Sequence, residues 1–116
     1  MRQTAELSQG LNRIRNQFLA RLFDRRQQIL WYTRKAGEAN TPKESQKHLA
    51  EVRNILHQIA GTAGTLGFAD FGSTARQIEK DIDVYLSESP AVHASSDMLD
   101  DLIGFSETAN DIMSAG

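Results

Sequence analysis

No cysteine occurs in the sequence, which excludes a disulfide framework, a thiolate nucleophile and any metal site built on sulfur. Long apolar runs are equally absent. Neither a signal peptide nor a membrane-spanning helix can be read, and a cytoplasmic setting is expected. The formal net charge of -2 lacks the basic excess that generic nucleic-acid binding shows. No strand pattern or internal repeat appears. Phosphate-cradling loops are missing too, since no Gly-Lys-Ser/Thr follows the glycines and no strand precedes them. His48 and His57 stand roughly 180° apart on one helix, so no metal ligand set is expected.

What is present is helical periodicity. The 116 residues suffice for one domain, 1–116, with a single core. From Leu7 the apolar positions Leu11, Ile14, Phe18, Leu22, Ile29 and Tyr32 follow steps of three and four, widened by Leu19, Phe23 and Leu30. Gly10 reads as a break that would set off a short leading helix, and Gly37 as a C-terminal cap. Thr41-Pro42-Lys43-Glu44 has the order of an N-cap, a proline at the first helical position and a capping-box acid. A second stripe runs through Leu49, Val52, Leu56, Ile59, Ala63 and Leu66, and Gly67 can stop it. A third takes Phe71, Ala75, Ile78, Ile82 and Tyr85. Pro90 marks a linker, after which Ser95 or Ser96 caps a helix carrying Met98, Leu102, Phe105, Ala109 and Ile112. The expected fold is all-α: an antiparallel up-down four-helix bundle with helices at about 7–36, 42–66, 70–87 and 96–114. Trp31 is expected half buried at a helix-helix seam, His48 at the core edge and His93 in a solvated linker.

Charge is segregated along the chain. From Arg13 to Lys35 the chain carries Arg13, Arg15, Arg21, Arg25, Arg26, Arg34 and Lys35 against only Asp24, whereas the last third is acidic from Glu79 to Asp111. Basic and acidic helices lying side by side would offset each other; a basic face for an acidic protein partner is the sharper reading.

The most unusual stretch is His57-Gln58-Ile59-Ala60-Gly61-Thr62-Ala63-Gly64-Thr65-Leu66-Gly67-Phe68. Each glycine inside a helix weakens it by roughly 0.5–1 kcal/mol relative to alanine. At ~100° per residue, His57 lies roughly 130° from the middle of its helix's apolar stripe, so it points away from the core. Its neighbours on the wheel are Ala50, Arg53, Asn54, Gly61 and Gly64, with Ala60 nearer the core edge. Gly61 and Gly64 either admit a neighbouring helix or let another macromolecule approach the imidazole. An exposed imidazole is largely neutral at pH 7 and has a lone pair free to act as a nucleophile. No second acid-base pair or nucleotide motif accompanies it, which suggests a relay whose partner brings the electrostatics.

Over these residues the chain resembles the histidine-containing phosphotransfer (HPt) family of two-component phosphorelays. The pattern is His57, Ile59, Gly61, Thr62-Ala63, Gly64, Thr65, Leu66, Gly67 and Phe68, continued by Phe71, Ala75, Ile78 and Glu79. The resemblance implies a phosphoacceptor at His57, loaded from an aspartyl phosphate on a response-regulator receiver domain and unloaded onto another. It implies no kinase or phosphatase activity and no cofactor of the chain's own, with Mg2+ on the receiver. Receiver domains and a hybrid histidine kinase are the implied partners; no nucleic acid and no membrane are, and a monomer is expected. Arg53, Asn54, Ala60, Gly61, Gly64 and Glu79 are the supporting or docking residues. Ala60 stands where the family often has lysine, leaving Arg53, Arg76 and Lys80 as possible replacements, although Arg53 should lean away from His57. Glu79 stands where some members have glutamine bonded to the second imidazole nitrogen. A non-catalytic adaptor on the same bundle is the competing reading. Met1 and the polar end at Gly116 read as a free-standing protein rather than a domain excised from a larger histidine kinase. A kinase dimerisation helix is disfavoured, since Gln58 and Thr62 replace its acid and proline.

Overall fold

The computed structural model describes residues 2–88 and 92–115, with side chains from Ser8 onward; Leu7's side chain and Pro90 lie outside the described residues. Four helices run in sequence: α1 (Arg2–Glu38), α2 (Pro42–Ala63), α3 (Ala69–Ser87) and α4 (Ser96–Ala115). A 3₁₀ turn, Gly64–Leu66, sits between α2 and α3. Each helix packs on the two beside it, and no diagonal pair comes into close contact among the described residues. The α1/α4 seam therefore lies opposite the α2/α3 seam. The bundle expected from periodicity is the bundle observed.

Local chemistry accounts for most boundaries. Thr41 Oγ1 accepts the Glu44 N–H at 3.2 Å and Pro42 opens α2, as the capping pattern requires. At the start of α4, Ser95 Oγ accepts the Met98 N–H at 3.1 Å, which makes Ser95 the cap. The inward stripes meet as predicted. Leu22, Ile29, Leu49, Leu56, Ile59, Ile82 and Leu102 are almost fully buried, and Phe71 stacks on Phe105 with ring centroids 4.6 Å apart. Each such aliphatic side chain contributes about 1.5–3 kcal/mol by leaving water.

Several expectations for α1 need correction. The helix passes through Gly10 without a break, so there is no separate leading helix. One glycine costs about 1 kcal/mol, too little to interrupt a long helix. Gly37 is not a left-handed cap either: it lies within α1, and Leu99 Cδ1 fills the space 3.3 Å from where a Cβ would stand. Leu11 (59% exposed), Ile14 (48%) and Phe23 (57%) are not core residues. Length explains the first two. At ~1.5 Å per residue, 37 residues reach about 55 Å, whereas helices of 19–22 residues reach about 30 Å. The N-terminal part of α1 thus projects past its neighbours. Phe23 is displaced sideways because Leu22 takes the inward position.

Trp31 is 45% exposed and packs edge-on against Tyr32 and half-buried His48, with centroids 5.0 and 6.0 Å away, at the α1/α2 seam as expected. His93 is exposed in the α3/α4 connection, its Nε2 3.2 Å from the Ala39 carbonyl oxygen. Among the described residues, no helix is long and apolar enough to cross a membrane.

Candidate functional site

The glycine segment ends α2 in two steps. The α-helix stops at Ala63, three residues before the expected end, because Gly64–Leu66 tighten into the 3₁₀ turn. Gly67 then takes the left-handed conformation (φ 90°, ψ 14°), the only positive φ among the described residues. Its N–H reaches the Gly64 oxygen at 3.4 Å, and the Phe68 N–H reaches Ala63 at 2.9 Å. Glycine suits this position because a Cβ would crowd the following carbonyl. The reversal turns Phe68 back onto Phe18, with centroids 5.5 Å apart, and Arg15 lies 4.8 Å from the Phe68 ring centre.

His57 projects from α2 with its side chain 76% exposed. Its Nδ1 lies 2.7 Å from Oε1 of Glu79 on α3, a carboxylate only 16% exposed. An ionised carboxylate can only accept hydrogen bonds, so Nδ1 carries the proton of the neutral ring. The lone pair is consequently on Nε2, the nitrogen without that partner. Fixing one ring nitrogen by a hydrogen bond to the other is how an imidazole is held in a single reactive tautomer.

Bare surface surrounds the ring. A Cβ built on Gly61 or Gly64 meets nothing within 4 Å, so neither glycine serves the approach of a neighbouring helix. That role belongs to Gly72 of α3, which the sequence reading missed. A Cβ there would come within 3.3 Å of Ala63 Cβ and 3.4 Å of the Gly64 nitrogen. The missed signal was a further glycine inside a helical stripe, next to Phe71. Ala60 is 7% exposed and packs inward, as its wheel position indicated. Asn54 is exposed. Arg53 is turned away from His57, as the lean of helical side chains implied: its Nε is 2.7 Å from Oδ1 of Asp83. A shallow pocket of about 300 Å³ gathers His57, Ala60, Gly61, Arg76, Glu79, Lys80 and Asp83.

One exposed imidazole, a mostly buried carboxylate side chain hydrogen-bonded to it and a bare approach make up the site. The Hpt-domain family model matches residues 5–111, essentially the whole chain. The chain belongs to the Hpt-domain family. Comparison with curated proteins and with solved structures finds no match. Hpt domains are phosphocarrier modules of two-component signalling, not kinases or phosphatases, and as a family they interact with response-regulator receiver domains. The four-helix architecture of this Hpt domain agrees with that membership. Its α2/α3 seam brings together His57, Glu79, Ala60 and Gly61, and leaves Gly64 open at the end of the same helix.

Proposed function

We propose that His57 is the phosphoacceptor of a phosphorelay. Its Nε2 lone pair attacks the phosphorus of an aspartyl phosphate on a receiver domain. The N–P bond forms as the P–O bond to the aspartyl carboxylate breaks, and that carboxylate leaves with the electron pair. The ring thereby becomes an N-phosphoryl imidazolium, and the Glu79 carboxylate offsets its positive charge through the retained Nδ1–H. Reversal with a second receiver passes the group on. Mg2+ belongs to the receiver, and this chain supplies the nucleophile and the docking face without kinase or phosphatase activity of its own.

The observation that carries this reading is the 2.7 Å contact between Nδ1 and Glu79 on a ring that is otherwise open to solvent. Gly61 and Gly64 support it, because the absent side chains leave room for the phosphoryl group and the receiver's loops. Incubation with a phosphorylated receiver domain and Mg2+ tests it. The wild-type chain should take up acid-labile, base-stable phosphate, and His57→Gln should take up none. Equal uptake by His57→Gln, or no uptake by the wild type across a receiver panel, refutes the reading.

A further inference from the structure

A phosphoryl group on Nε2 places two negative charges over a pocket whose lysine and arginine both come from α3. The next turn of α2 after His57 offers Ala60, which is 7% exposed and carries no charge. Arg53, one turn earlier, is engaged with Asp83 at 2.7 Å. The remaining cations of the pocket are Arg76 and Lys80 of α3, both exposed. Neither forms an ion pair within 4.0 Å among the described residues.

The register of the two helices separates them. α2 and α3 are antiparallel, and their facing pairs step in opposite directions: Arg53 with Asp83, His57 with Glu79, Gly64 against Gly72. Continuing the same register sets Arg76 opposite Ala60. On α3, Gly72, Arg76, Glu79 and Asp83 follow steps of four, three and four, one helical row facing α2. Lys80 stands one position round from that row, toward solvent. Both acids of the pocket already have partners, since Glu79 meets His57 and Asp83 meets Arg53.

The geometry points to Arg76 as the residue that binds the phosphoryl oxygens of phosphorylated His57, a cation supplied across the seam in place of one on α2. This rests on the phosphoacceptor reading above. Arg76 forms and breaks no covalent bond. Its guanidinium presents paired N–H donors that match phosphoryl oxygens, and Ala60 and Gly61 leave the gap it enters. Arg76 therefore favours the phosphorylated form of His57, and Lys80 contributes at the rim only.

The test measures transfer from a phosphorylated receiver with Mg2+, in both directions, for the wild type, Arg76→Gln, Arg76→Lys and Lys80→Gln. Arg76→Gln should shift the equilibrium toward the receiver by about tenfold, as loss of a charge-assisted contact does. Arg76→Lys should recover most of that shift, and Lys80→Gln should move it by less than about threefold. The ³¹P resonance of phosphorylated His57 should move in Arg76→Gln, while the ¹⁵N signal of the Nδ1–H stays, which a loss of folding would not allow. If Arg76→Gln matches the wild type in equilibrium and ³¹P shift, or Lys80→Gln has the larger effect, the assignment is overturned. A wild type that accepts no phosphoryl group defeats the underlying phosphoacceptor reading instead, a result distinct from an active wild type with an equally active Arg76→Gln.

Discussion

The two opposite seams of the bundle solve the same packing problem differently. Between α2 and α3, Gly72 brings the backbones close, and two cross-helix pairs, Arg53–Asp83 and His57–Glu79, span the outer face. Between α1 and α4 lies a mostly apolar groove lined by Leu30, Thr33, Leu99 and Ile103, with Arg34 and Asp100 also along it. No ion pair joins these two helices among the described residues, although α1 is rich in arginine and α4 carries acids without a single lysine or arginine. Arg26 illustrates the point, since its Nε donates to the Ser106 carbonyl at 2.8 Å rather than to a carboxylate. Charge segregation along the chain thus brings basic and acidic helices side by side without pairing them. The cross-helix pairs form where each helix carries both signs.

Experiments can break this contrast. The largest effect should come from the shared core: Ile59→Ala or Leu56→Ala, both fully buried, should cost roughly 2–5 kcal/mol in denaturant unfolding. A near-neutral result would mean that α2 does not present its stripe inward. Next, Gly72→Ala should destabilise by about 1–3 kcal/mol despite alanine's better helix propensity, because its Cβ meets Ala63 Cβ at 3.3 Å and the Gly64 backbone at 3.4 Å. Phosphotransfer should slow as well, since moving α3 moves Glu79. Gly61→Ala should do the reverse, adding about 0.5–1 kcal/mol where nothing lies within 4 Å. Gly61→Gln should fold normally and block the receiver, which a transfer assay beside circular dichroism would show. Smallest of all, Asp83→Asn should lose less than about 1 kcal/mol, since the pair is 41% and 48% exposed. A marked rise in transfer for Asp83→Asn would show that releasing Arg53 supplies the site with a cation.

How much of this was legible beforehand depends on what each residue reports. Stripes of steps three and four fixed which faces of α2, α3 and α4 turn inward, and Thr41 with Pro42 and Gly67 located two boundaries, because these depend on neighbours a few residues away. His57 was readable for the same reason: its wheel angle is a property of one helix. Leu11 and Ile14 were misread because exposure there depends on where the other helices stop, which periodicity in α1 does not contain. Glu79 came from the resemblance. Gly72 and the Arg53–Asp83 pair depend on the register between two helices, and nothing within either helix's own pattern reports it. Gly61 and Gly64 left both of their readings open until the neighbouring backbone could be located.

The hydrogen bond from Nδ1 to Glu79 has a consequence outside phosphoryl chemistry. The proton's position on one ring is decided by a helix that does not carry that ring. A slip of α3 against α2 by a single residue would swing the carboxylate about 100° round its helix and release the imidazole to exchange between its two neutral isomers. The ¹⁵N spectrum of His57 is therefore a gauge of helix alignment, readable in the unphosphorylated protein and without any partner present.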